Sequence, residues 1–242
     1  MPYDNVKILI IVPAYNEEGN IQQTIREIQQ LKRPVSVVVI NDCSIDKTAS
    51  KAKEMGVSVI SLPFNLGIGG AVQTGFKYAK RNNFDIAVQV DGDAQHDVNY
   101  LENLIAPILS REVDFTIGSR FLPPYLGYQS SFVRRIGINF FARLLSFITH
   151  QQVTDPTSGF RAYNRKMISV FADYYPQDFP EPEAIVRAGR YGATMKEVPV
   201  QMRKRAAGVS SIRYVRTLYY MVKVTLAILL EKLKQKRTEG LT

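Results

Sequence analysis

Cysteine is nearly absent: Cys43 is the single one in 242 residues. One thiol closes no disulfide within the chain and builds no cysteine-rich zinc site, so the sequence fits a reducing, cytoplasmic setting with an inert Cys43. A basic-then-apolar leader is missing too, because Met-Pro-Tyr-Asp-Asn runs straight into strand-like residues, and export by that route is not expected. Near the C-terminus, the apolar stretch 224–230 falls far short of the roughly 20 residues that cross a bilayer. Acidic residues are scarce in one place only. Residues 203–242 hold ten Lys/Arg against two Asp/Glu, a net +8 out of +9 for the whole chain. These charges interleave with long apolar side chains instead of lining a loop or groove, which points to an anionic membrane surface and not to nucleic acid.

What is present is enough for a full core. With 45% apolar residues the chain can form one large domain, or a domain with an appendage. The pattern divides it into a globular unit over 1–211 and an amphipathic helical segment over 212–242. Residues 7–12 (Lys-Ile-Leu-Ile-Ile-Val) form an apolar, largely β-branched run suited to a parallel strand buried on both faces, and 20–31 follows with helical spacing. The order repeats: strand 35–40 and helix 47–55, strand 57–62 and a helix ending near Lys80, then strand 86–90. This alternation predicts an α/β fold, Rossmann-like, with a mostly parallel sheet flanked by helices and functional loops gathered at the carboxyl ends of the strands.

The fourth strand ends in Asp91-Gly92-Asp93-Ala94-Gln95-His96-Asp97. Where the chain leaves the pleat, Asp91 and Asp93 no longer point to opposite faces, and both can aim at one divalent cation. Mg2+ or Mn2+ held by Asp93, with Asp91 or Gln95, suits the departure of a diphosphate. The plainer reading is a turn after a strand. At the other strand tips Tyr15 can pack on a base, Glu17 and Asp42 can accept hydrogen bonds from a nucleoside, and Asp46 fits best as the cap of helix 47–55. Gly67, Gly69 and Gly70 open a helix and match neither a dinucleotide fingerprint nor a Walker loop. They serve either a tight turn or an anion's close approach.

Six segments in this order carry a resemblance: Pro-Ala-Tyr-Asn-Glu, Asn-Asp-Cys-Ser-Ile-Asp, Asn-Leu-Gly-Ile-Gly-Gly-Ala, Asp-Gly-Asp-Ala-Gln-His, Gly-Ser-Arg-Phe and Asp-Pro-Thr-Ser-Gly-Phe-Arg. Over residues 7–211 the chain resembles the family 2 glycosyltransferases of the GT-A fold, and within them the polyprenyl-phosphate sugar transferases. The resemblance implies inverting transfer from a nucleoside-diphosphate sugar, UDP- or GDP-linked, to a polyprenyl phosphate. It also implies that Pro13, Tyr15, Glu17, Asp42, Gly69, Asp91 and Gly92 hold the donor and that Asp91, Asp93 and Gln95 surround the metal. Asn41 stands where the family has an aspartate.

Arg120 and Asp155 complete the expected catalytic set with Asp93 and Glu183. Arg120, Arg134 and Ser158 are expected at the acceptor phosphate. For Arg120 the alternative is an idle surface arginine, and for Asp155 a loop acid capping its own turn. Pro180-Glu181-Pro182-Glu183 precedes a helix expected at 184–191. There the helix dipole alone favours acids, while a base at Glu183 suits a hydroxyl acceptor such as a lipid-linked glycan. The loop 201–211 resembles the family's donor-closing segment, with Arg203, Arg205 and Ser210 as phosphate ligands and Ser211 where the family often has Lys. Helix 131–150 belongs either to the core or to the bilayer interface, and helix 212–237 lies on a membrane, a partner subunit or a second copy of the chain, with Lys223, Glu231 and Lys234 on a stripe opposite its apolar face. The expected location is peripheral, at the inner face of the membrane. A nucleotide-binding partner subunit without catalysis is the alternative from another class.

Overall fold

The computed structural model describes residues 5–124, 132–203 and 217–233, with the backbone alone for 132–134 and 217–222. Seven strands form one sheet: β1 (Ile8–Ala14), β2 (Ser36–Asn41), β3 (Ser58–Ser61), β4 (Ile86–Gln89), β5 (Phe115–Ser119), β6 (Arg161–Asn164) and β7 (Met195–Pro199), in the spatial order β3-β2-β1-β4-β6-β5-β7. Helices α1 (Ile21–Gln29), α2 (Thr48–Glu54) and α4 (Leu101–Leu109) cover one face. The other is covered by α3 (Gly67–Arg81), α5 (Phe132–Thr149), α6 (Arg165–Asp173), α7 (Pro180–Arg190) and α8 (Thr217–Leu233).

Pleat alternation builds both cores from one strand. Leu9 and Ile11 of β1 pack towards α3, while Ile8, Ile10 and Val12 pack towards α1 and α4. The uninterrupted apolar run of β1 is therefore what a strand buried on both faces requires.

All strands but β6 run in one direction, giving the mostly parallel sheet that the sequence predicts; β6 is antiparallel to both β4 and β5. Neither β6 nor α6 is expected from the sequence, because Arg-Ala-Tyr-Asn has no β-branched residue and buries an arginine. The inversion matters for function. Gln89 at the end of β4 pairs with Arg161 at the start of β6, so the segment before β6, residues 155–160, reaches the edge where β4 ends. Parallel pairing of β7 with β5, prolonged by Val200 N–H donating to Ser119 O at 3.0 Å, brings residues 200–203 to the same edge. The connections from β1 go to β2 and β3 on one side, and β4 lies on the other. The crevice outside β1 and β4 is thus the switch point where ligands of such sheets bind.

Helix α8 packs on α7 and α5. Among its described side chains Val224, Ile228 and Glu231 are buried, whereas Leu226, Leu229, Leu230 and Leu233 are exposed. Glu231, expected on a polar outer stripe, instead faces the protein and pairs with Arg187 and Arg190 of α7. Among the described residues no helix is long and apolar enough to cross a membrane.

Candidate active site

The acidic loop leaves β4 through a tight turn. Ala94 has φ +60°, the left-handed region that a residue with a Cβ enters at a cost of about 1 kcal/mol, and Gln95 N–H donates to Asp93 Oδ1 at 3.1 Å across it. Gly92 joins this loop to β1: its N–H donates to Pro13 O at 3.3 Å, and a Cβ there would lie 3.2 Å from the same oxygen. Pro13 and Gly92 thus act as backbone joinery beneath the crevice.

Asp91 lies in a slot. Its Oδ1 accepts from Gln89 Nε2 at 3.3 Å, and a Cβ on Gly159 would come within 2.8 Å of Oδ2. Only the bare glycine lets the 155–160 turn pass under the carboxylate. Gln95 donates through Nε2 to Arg203 O at 3.3 Å, so Oε1 is the atom it could offer a metal. Two carboxylates and an amide oxygen are hard donors of the kind Mg2+ and Mn2+ select, and the residues present fit such an ion. Among the described residues no group of three His, Cys, Asp or Glu side chains converges.

The loops after β1 and β2 are tied together. Glu17 N–H donates to Thr48 Oγ1 at 2.8 Å, and Glu17 Oε2 accepts from Asn20 at 2.7 Å. Tyr15 beside it is 48% exposed, open for a base to stack on. Asp42 is buried and accepts the Leu66 N–H at 2.7 Å, which orders the approach to α3. Asn41 is buried too: its amide donates to Ser61 Oγ at 3.1 Å and accepts from Ser44 N–H at 3.2 Å, which ties this loop to the end of β3. Helix α2 starts one residue later than expected, with Lys47 and not Asp46 at its cap position, yet Asp46 still accepts its first amide, Thr48 N–H, at 2.9 Å. Burial pushes the Asp46 carboxyl up, but the Thr48 and Glu18 donors outweigh it and leave the pKa lowered.

Several expected ligands have other work. Arg120 and Asp155 are both buried and bind each other, so neither is the free phosphate fork or free acid that the sequence suggests. Ser158 is buried, its hydroxyl accepting from Phe160 N–H at 3.3 Å, and so does not face an acceptor. A Cβ on Gly69 would lie 2.2 Å from Pro176 O, so this glycine serves the packing of α3 on residues 176–177 and not a phosphate. Arg203 is ion-paired with Glu27 at 2.7 Å and Asp97 at 2.9 Å. Its backbone, however, pairs with the acidic loop: Arg203 N–H donates to Gln95 O at 2.9 Å, beside an antiparallel bridge between His96 and Met202. The basic segment therefore starts against the acidic one. Arg205, Ser210 and the side chain of Arg134 lie outside the described residues.

Sequence reasoning missed three groups behind the site. Glu197 of β7 accepts from Thr154 N–H and Oγ1 and from Asp155 N–H, fixing the start of the 155–160 turn. Burial pushes its carboxyl up against these donors. Arg161 is fully buried and donates to Ser158 O, Pro156 O and Glu181 O at 2.7, 3.1 and 2.8 Å, lashing that turn to the start of α7. Helix α7 begins at Pro180, a residue suited to the first helical position, and not at 184. Glu181 and Glu183 are therefore both in its first turn. Burial pushes the Glu181 carboxyl up to about 6, Arg161 opposes the rise and the charge of Asp91 adds to it. The cue in the sequence was the Pro-Glu-Pro-Glu run itself, read one helical turn too late.

An α/β/α sheet with an acidic strand tip at its switch point defines a GT-A glycosyltransferase. Glucosyl-3-phosphoglycerate synthase from Mycobacterium tuberculosis, solved with Mn2+, UDP and glucosyl-3-phosphoglycerate, shares this fold at a TM-score of 0.70 and 20% identity, over 98% of this chain and 83% of that one. Residues 9–171 match the model of Glycosyl transferase family 2, and the chain belongs to that family. Its relatives include an uncharacterized protein of Methanocaldococcus jannaschii, 35% identical over 81% of each chain. The UDP-N-acetylglucosamine–dolichyl-phosphate N-acetylglucosaminyltransferase of Methanococcus voltae is 29% identical over 80% of this chain and 84% of its own. The polyprenol monophosphomannose synthase of Mycolicibacterium smegmatis is 27% identical over 85% and 81%. Within the family the chain is thus similar to the polyprenyl-phosphate sugar transferases.

Proposed function

We propose that the protein is an inverting, metal-dependent transferase that moves a sugar from UDP or GDP to a polyprenyl phosphate at the inner face of the membrane. The observation that carries this reading is the loop 90–97, which offers Asp91, Asp93 and Gln95 beside the β1/β4 crevice and is hydrogen-bonded to the start of the basic segment at Met202 and Arg203. Tyr15 stacks the base, Glu17 and Asp42 bound its pocket, and Asp91, Asp93 and Gln95 hold the cation. When bound, Mg2+ or Mn2+ offsets the charge that gathers on the departing diphosphate. By the resemblance, Arg205 and Ser210 are the diphosphate ligands of this reading and Arg134 its acceptor-phosphate ligand. A lipid phosphate is largely ionised near neutral pH, its second pKa being about 6, and attacks without a base. That fits an Asp155 fully committed to Arg120.

Residues 212–242 supply the membrane contact in this reading. Exposed Ile136, Phe140 and Phe147 on α5 and Leu226, Leu230 and Leu233 on α8 offer apolar surface, with Arg135, Arg143, Lys223 and Lys232 exposed on the same helices. One observation favours a second acceptor: Glu181, with its carboxyl at about 6, is suited to take a proton from a hydroxyl of a lipid-linked glycan.

The test is a screen of radiolabelled UDP- and GDP-sugars, with Mn2+, against a synthetic polyprenyl phosphate. A monoglycosyl phospholipid is expected, with inverted anomeric configuration. Transfer only onto a lipid-linked glycan, lost in Glu181→Gln, would establish the second reading. If no donor is transferred or hydrolysed, both readings fail.

A further inference from the structure

His96 follows the expected metal ligands, and its ring is the one buried polar group of the acidic loop left with an unused atom. Asp91 N–H donates to Nδ1 at 3.1 Å, so Nδ1 presents its lone pair and the ring proton is on Nε2. Nε2 is buried and makes no hydrogen bond among the described residues. The acid oxygen it faces is Asp91 Oδ2, 3.7 Å away against about 3 Å for a hydrogen bond. Stacking on buried Phe160, with ring centroids 5.2 Å apart and planes at 17°, keeps the imidazole from swinging away. The other walls of the slot are already named: Gln89 holds Oδ1, and Gly159 passes beneath both oxygens.

We infer that His96 is a positioning residue for Asp91: with Nδ1 fixed by the Asp91 backbone, its Nε2–H holds Oδ2 and so sets the carboxylate's direction towards a divalent cation. This rests on the functional reading above. A donor buried without a partner costs about 1–3 kcal/mol, and a small rotation of Asp91 removes that cost by closing the gap to Oδ2. The same residue bridges to Met202 through its backbone, so the aim of Asp91 and the placement of the basic segment share one support.

Two substitutions separate the ring's two ends. His96→Gln keeps an N–H near the position of Nε2 and loses the acceptor at Nδ1, whereas His96→Asn keeps the acceptor and loses the donor. Mn2+ binding is titrated by electron paramagnetic resonance in the presence of UDP, and separately of GDP, with thermal melting of the metal-free proteins alongside. Both variants lose the stacking on Phe160 and melt earlier to a similar degree. Mn2+ affinity falls about tenfold or more in His96→Asn and stays within a few fold of wild type in His96→Gln. Equal Mn2+ affinities in the two variants would overturn the inference alone. If the wild-type protein binds no Mn2+ with either nucleotide, the functional reading falls and the inference with it. Should a variant fail to fold, the ring nitrogen shifts of 15N-histidine-labelled wild-type protein decide. A proton on Nε2 of His96 is expected, and a proton on Nδ1 would overturn the proposal.

Discussion

Arg120 and Asp155 bind edge to edge: Nε reaches Oδ2 and Nη2 reaches Oδ1, both at 2.6 Å, and the Arg120 N–H adds a bond to Oδ2 at 3.1 Å. Their side chains are 4% and 0% exposed. Each neutralises the other, and together they hold the 155–160 turn against the end of β5. Removing one partner strands a buried charge, so Arg120→Ala and Asp155→Ala should each cost about 3–5 kcal/mol in urea unfolding. The double variant Arg120→Met/Asp155→Leu should cost much less than the sum, because no charge is left behind. An Arg120→Ala protein of wild-type stability that merely needs more acceptor would show that the arginine faces substrate.

Gly159 separates a packing role from a functional one. The Cβ of Gly159→Ala would come 2.8 Å from Asp91 Oδ2 and 3.1 Å from Oδ1, so the carboxylate must turn aside. The atoms that move are the end of one side chain, and the expected stability loss is only about 1 kcal/mol. Nucleotide-dependent Mn2+ affinity should fall about tenfold or more, since the displaced group is the proposed ligand. Loss of stability without loss of affinity would place Asp91 outside the metal site.

Much of this arrangement is legible in the sequence because the signals are local. The run 7–12 declares a strand buried on both faces, Asp91-Gly92-Asp93 declares a strand-tip turn with two acids, and Asp46 declares a helix start. What stays hidden depends on β6. Its inverted direction turns Arg161 inwards to three carbonyls and carries Asp155 to Arg120, and no spacing along the chain encodes either partner. Glu197 looks like the exposed residue of an edge strand until the 154–155 backbone is laid over it. Glu231 reads as part of a wet stripe for the same reason: its partners lie more than 40 residues away in sequence on α7.

Glu181 gives the fold a pH signature. Its carboxyl rises from the ordinary 4.5 to about 6, so between those values the folded protein binds a proton that the unfolded chain has released. This contribution to stability is complete below pH 4.5 and is lost as the pH rises through 6. Glu181→Gln, permanently neutral, should remove a fall on the order of 1–2 kcal/mol across that window. Urea unfolding of both proteins at pH 4.5, 5.25 and 6.5 makes the comparison, and the difference between the two curves isolates this group from the other acids. Parallel curves would mean that Glu181 titrates like an exposed carboxylate.

The last helix is held by charge as well as by apolar contact. Glu231 is 2% exposed and pairs with both Arg187 and Arg190, and Arg187 also lies over the ring of Tyr174 at 4.2 Å. Glu231→Gln keeps the shape of the side chain but removes the charge that Arg187 and Arg190 share in a nearly dry interface. Undocking of α8 should become easier by about 3 kcal/mol, which is roughly a hundredfold faster amide exchange over 224–233 if the helix opens as a unit. Lys223→Ala is the control, because its bond to Asp178 at 3.2 Å joins side chains 45% and 67% exposed and should be worth little. In the functional reading α8 carries part of the membrane-facing surface, so its docking fixes how the crevice meets the lipid. Glu231→Gln should then keep its affinity for Mn2+ and nucleotide, yet transfer less sugar to polyprenyl phosphate in anionic vesicles than to a short-chain analogue free in solution. Equal losses on both acceptors would mean that the helix supports the fold alone.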